Sequence, residues 1–151
     1  MADVLRVYVA GPYTAPDPEA NVRAAIEAAH QLRDAGAAPF VPHLCHFWHA
    51  QQPRGYEDWM AYDLAWLKTC HLLVRLPGDS PGADREVAWC HANGVRVCLG
   101  LTSGLRAVAN IIEWRRRGRA AFLAARAAVM LSGIAGAGPA GMWDGGYDGD
   151  D

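Results

Sequence analysis

Apolar and polar positions follow two rhythms along this chain, and each change of rhythm marks an element. Residues 5–11 (LRVYVAG) form an apolar run of the kind carried by a strand buried on both faces, and it ends in a Gly-Pro turn. Strand parity sets Tyr8 with Arg6 and Ala10 on one sheet face, and Val7 with Val9 on the other. Asp17-Pro18-Glu19 reads as a helix start. Val22, Ile26, Ala29 and Leu32 then recur at helical spacing through residues 20–35, until Gly36 ends the helix. Residues 38–43 (APFVPH) predict a second short strand, and residues 44–57 (LCHFWHAQQPRGYE) a loop of unusual composition. A helix follows, with Trp59, Met60, Leu64, Trp66, Leu67 and Cys70 on one broad stripe. Residues 71–76 (HLLVRL) predict the third strand, residues 77–82 a turn-rich segment, and residues 83–93 a helix closed by Gly94. The fourth strand is expected at residues 95–101 (VRVCLGL). After Gly104 a long helix runs from about residue 105 to 131, with a break expected near Gly118.

Four such strands separated by helices predict a parallel sheet covered on both faces. With right-handed crossovers this is an α/β fold, a single open doubly wound sheet of the Rossmann-like or flavodoxin-like kind. One domain is expected over residues 1–131, followed by a flexible Gly/Asp-rich tail, residues 132–151. Ligands of such sheets bind beyond the carboxyl ends of the strands. Here those ends are Gly11-Pro12-Tyr13, His43, residues 77–82 and residues 101–103.

Composition narrows the partners. A net charge of −2 over 151 residues provides no electrostatic reason to expect a nucleic-acid polymer or a membrane surface. Four cysteines without a CxxC spacing read as reduced core thiols of a cytoplasmic protein. Asp3 and Arg6 interrupt any signal-peptide core, and Arg126, the glycines and Pro139 interrupt the Ala-rich run at residues 120–142. His43, His46 and His49 with Cys45 have a spacing that could share one side of a short helical turn, but no acidic support lies nearby. They are read as an imidazole and aromatic loop lining a substrate, with no metal.

Two acids carry the candidate chemistry. Asp63 falls near the middle of an apolar helical stripe, where an ionised carboxylate costs several kcal/mol, by order of magnitude, unless it is paired or used. A structural pairing with Arg23 or Arg75 is the plain alternative. Glu86 is expected in the first turn of the next helix, held anionic by the helix dipole and free N–H groups; its plain alternative is a solvated helix-start acid. Two carboxyl groups in unlike environments are how one site supplies an acid and a nucleophile together.

Several pieces taken in order, YVAGP (residues 8–12), VPH (41–43), YDLAWLKTCHLLV (62–74) and SPGADREVAWCHANGVRV (80–97), resemble the nucleoside 2-deoxyribosyltransferase-like superfamily, which includes nucleoside 5′-monophosphate N-glycosidases. The resemblance covers most of residues 5–100. It implies that Glu86 is the nucleophile forming a glycosyl ester at C1′, that Asp63 assists departure of the base, that Tyr8 positions the nucleophile, and that Gly11 leaves room for substrate. Pro12, Tyr13 and His43 are expected to line that substrate. Monophosphate hydrolases of this kind carry a serine six residues before the nucleophile to receive the 5′-phosphate. Ser80 stands there, with Gly82 also matching. An arginine found in the first loop of some of them has no match, because Thr14 follows Tyr13. The substrate implied is a nucleoside or nucleotide, the cofactor none, and the assembly a homodimer. The competing reading is a non-catalytic nucleotide sensor or accessory protein on the same fold.

Overall fold

The structure, a computed structural model, describes residues 4–135. Its first unit, residues 1–113, carries a four-stranded, all-parallel sheet in the order β2-β1-β3-β4. β1 is Arg6–Ala10, α1 Pro18–Asp34, β2 Ala38–Phe40, α2 Cys45–Gln51, α3 Tyr56–Leu67, β3 Leu72–Arg75, α4 Pro81–Ala92, β4 Arg96–Leu99 and α5 Leu101–Ala135. Tyr8 pairs with Phe40 on one side and Leu73 on the other. The chain steps from β1 to β2, then crosses to β3 on the opposite flank of β1. Strand order therefore reverses between β1 and β3, where such sheets open a ligand crevice.

Parity works as expected. Val7, Val9, Leu72 and Val74 face a core completed by Ala25, Ala28, Ala29 and Leu32 of α1 and by Ala107 and Val108 of α5. Tyr8, Ala10 and Leu73 face the other way, against Leu67 of α3 and Ala83 and Cys90 of α4. Each large apolar side chain sealed in these two layers contributes about 1.5–3 kcal/mol. Capping sets the helix starts: the Asp17 carboxylate accepts from the N–H groups of Glu19 and Ala20, with Pro18 as first residue of α1.

Four local expectations are corrected. The second strand stops at Phe40, because Pro42 cannot donate to a ladder and opens a 3₁₀ turn, Pro42–Leu44, that carries His43. The expected loop beyond it contains α2, whose helical hydrogen bonds a count of Gly and Pro alone overlooks. α5 begins before Gly104 and passes Gly118 without a break, since flanking Ala120, Ala121, Ala124 and Ala125 offset the roughly 1 kcal/mol cost of one glycine. Trp66, placed on the buried stripe of α3, is 45% exposed. The second unit, residues 114–151, is helical as far as Ala135, past the helix end expected near residue 131. The remainder of the expected tail lies outside the described residues. Among the described residues no helix is long and apolar enough to cross a membrane.

Candidate active site

Three elements, β1, α3 and α4, each supply one side chain of the candidate site. Tyr8 is fully buried on β1, and its hydroxyl donates to Glu86 Oε1 at 2.5 Å. Glu86 is 5% exposed and is the sixth residue of α4, beyond the N–H groups of the first turn. The expectation of an acid held anionic by the helix dipole is therefore corrected. Burial pushes the Glu86 carboxyl up to about 7 and the nearby Asp63 charge adds to the rise, while the Tyr8 hydrogen bond and the Arg75 charge pull it back. The Tyr8 phenol is itself raised, first by burial and then by the charges of Glu86 and Asp63, so it stays a donor.

Asp63 lies on the inward side of α3 at the spacing Met60, Asp63, Leu64, Leu67, with Met60 and Leu67 buried. Its Oδ1 is buried and has no hydrogen-bond partner. Burial pushes its carboxyl up to about 6. The alternative pairing with Arg75 is overturned, because the Arg75 guanidinium goes to Asp84 Oδ1 at 3.1 Å and to the Gly78 carbonyl at 2.8 Å. Since the Asp63 charge raises both Tyr8 and Glu86, the three groups form one electrostatic unit.

The edge of the crevice is built from two loops. Leu76 N–H donates to the Ala10 carbonyl at 2.7 Å, and Ser80 Oγ donates to the Gly11 carbonyl at 3.3 Å. Ser80 also caps α4, accepting from Ala83 N–H at 3.2 Å. Its hydroxyl is thus engaged in both directions. Gly11 is buried and crowded: a Cβ there would stand 3.2 Å from the Leu76 Cβ and 3.5 Å from His43 Nε2. Gly82 lies near the Tyr56 hydroxyl and the Met60 sulfur. A cavity of about 330 Å³ opens at the same sheet edge on the α1 side, lined by Pro12, Asn21, Leu76, Pro77 and Leu101 among others. Tyr8, Asp63 and Glu86 do not line it.

The histidines divide among separate tasks. His43 is buried, and its Nε2 donates to the Pro12 carbonyl at 2.9 Å, which ties the first loop down. Burial lowers its basicity. His46 Nδ1 meets the Tyr13 hydroxyl at 3.0 Å, and His49 Nδ1 accepts from the Trp59 indole at 2.8 Å. These contacts fix α2 against the first loop and against α3. Among the described residues no group of three or more His, Cys, Asp or Glu is placed to hold a metal ion. The half-buried Cys45 thiol, expected among the core thiols and in the histidine loop, is pushed up by burial and by the Asp63 charge.

A family model described as Domain of unknown function (DUF7768) matches residues 5–99. No curated protein matches the chain. One solved structure similar to it is the 2-deoxyribosyltransferase of Bacillus psychrosaccharolyticus, titled a biocatalyst for the synthesis of antiviral and antitumoral nucleosides. The two chains are 24% identical, with a TM-score of 0.45, over 62% of this chain and 70% of that one.

Proposed function

We propose, for a chain that belongs to the family described as Domain of unknown function (DUF7768), that the Tyr8–Asp63–Glu86 site cleaves the N-glycosidic bond of a nucleoside or (deoxy)nucleoside 5′-monophosphate. The observation that carries this reading is the short Tyr8–Glu86 hydrogen bond, buried beside a second acid of raised pKa. Tyr8 holds Oε1 and leaves Oε2 to attack C1′. As the C1′–N bond breaks, its electron pair passes to the base, which takes a proton from Asp63. The glycosyl ester on Glu86 then opens to water or to a second base, and Asp63 recovers its proton from the incoming nucleophile. This is retaining displacement by two carboxyl groups. Between the two midpoints, about 6 and about 7, the pair holds about one proton between its members, and the reactive form is the one with that proton on Asp63.

The Ser80 hydroxyl, engaged by Gly11 and Ala83, favours a substrate with a neutral 5′-hydroxyl over one with a phosphate. Gly11, Pro12, Tyr13, His43 and Gly82 belong to the loops that would border the sugar. The reading carries with it a cytoplasmic homodimer that needs no metal or organic cofactor.

The test is base release from a panel of nucleosides and deoxynucleoside monophosphates, with and without a second base. Wild-type protein is expected to release base, faster from nucleosides than from monophosphates. Glu86→Gln is expected to lose at least about a thousandfold in turnover with its fold intact. Normal turnover in that variant removes the assignment. Saturable binding without base release by the wild type selects the sensor reading instead.

A further inference from the structure

Arg75 ends β3 at the point where strand order reverses, and the chemistry above assigns it nothing. Its side chain is 12% exposed. Its guanidinium donates to the Leu76 carbonyl, to the Gly78 carbonyl at 2.8 Å and to Asp84 Oδ1 at 3.1 Å. Leu76 and Gly78 belong to the loop after β3, whereas Asp84 lies in the first turn of α4, two residues before Glu86. One planar cation therefore spans the loop and the helix that presents Glu86. The same loop is seated on the first: Gly78 has φ +108°, and a Cβ there would lie 2.7 Å from the Pro12 Cγ.

We propose that Arg75 is the positioning residue of this site, tying the loop after β3 to the first turn of α4 so that Glu86 stays on the Tyr8 hydroxyl, and setting a positive charge against the buried Glu86 carboxyl. Among the described residues, the groups that act electrostatically with Glu86 are Tyr8 on β1, Asp63 on α3, Arg75 on β3 and Cys90 further along α4. Arg75 is the cation among them, and it favours the ionised carboxylate that burial opposes. Its effect on turnover rests on the reading of Glu86 as nucleophile, but its effect on the Glu86 carboxyl does not.

The experiment is a pH titration of the Glu86 carboxyl carbon by NMR in wild type, Arg75→Gln, Arg75→Met and Arg75→Lys, with circular dichroism to follow the fold. Removing the positive charge in Arg75→Gln and Arg75→Met should raise the Glu86 midpoint by about one pH unit. Arg75→Lys should stay near wild type. In turnover, Arg75→Gln should lose about fivefold in kcat/KM relative to wild type at pH 7, through the smaller ionised fraction of Glu86, and the ratio to wild type should narrow toward pH 9, where both proteins slow because Asp63 has given up its proton. A Glu86 midpoint unchanged in folded Arg75→Gln overturns the proposal. So does unfolding of all three variants, which would assign Arg75 to the fold alone. A wild-type protein that releases no base defeats the reaction proposed above and leaves this titration standing.

Discussion

A buried carboxyl group that binds its proton more tightly folded than unfolded makes stability fall as pH rises. Glu86, pushed up to about 7, and Asp63, to about 6, are both of this kind. Below about pH 4 each is protonated in both states and costs nothing. Between the ordinary carboxylate range and the folded-state values the unfolded chain loses these protons first, so each unit of pH weakens the fold. Above about pH 7 the full cost is present. Glu86→Gln and Asp63→Asn should each therefore be more stable than wild type at pH 8, by on the order of 2–3 kcal/mol, with the gain vanishing near pH 4. Denaturant melts of the three proteins across that range check this. A gain independent of pH would mean that packing, not charge, is responsible. The trade is one often seen at active sites, where groups held for chemistry oppose folding. Asp63 as an anomaly was legible from the spacing of α3 alone. That Glu86 has a phenol as its partner was not, because Tyr8 and Glu86 are 78 positions apart and only the stacking of α4 on β1 joins them.

α5 passes close over β3 at Gly104. A Cβ added at Gly104 would stand 2.5 Å from Val74 Cγ2, so the helix lies on the strand without room for a methyl group. Alanine in place of a helical glycine gains up to about 1 kcal/mol in propensity, whereas overpacking a core costs about 1–3 kcal/mol. Gly104→Ala should accordingly destabilise the protein. Gly118→Ala should stabilise it by up to about 1 kcal/mol, since nothing lies within 4 Å of the added atom. Thermal melts of the two variants side by side decide the point, and equal effects would contradict it. Element type was well encoded by period for β1, α1, β3, α4 and β4. The stretch between β2 and α3 was misread, because its aromatic and histidine side chains are fixed by partners on other elements: Tyr13 for His46, Pro12 for His43, Trp59 for His49.

The family match ends at residue 99, yet Ala107 and Val108 of α5 are buried in the core facing Val7 and Val9. A fragment of residues 1–100 would leave that face of the sheet covered by α1 alone and should fail to fold cooperatively. A fragment of residues 1–113 retains Ala107, Val108, Ile111 and Ile112 and should melt cooperatively with the Tyr8–Glu86 pair in place. Circular dichroism melts of both fragments test this, and a cooperative 1–100 fragment would refute it. The alternation of apolar strands with helices was enough by itself to determine a parallel, doubly wound sheet, because a strand buried on both faces needs helices on both sides. It also determined which face Tyr8 takes, since strand parity is local geometry. Tertiary structure alone decided the rest. Strand order 2-1-3-4 set the crevice between β1 and β3, and burial, a property of everything packed around a group, raised Glu86 where its place in the chain implied an ordinary anion.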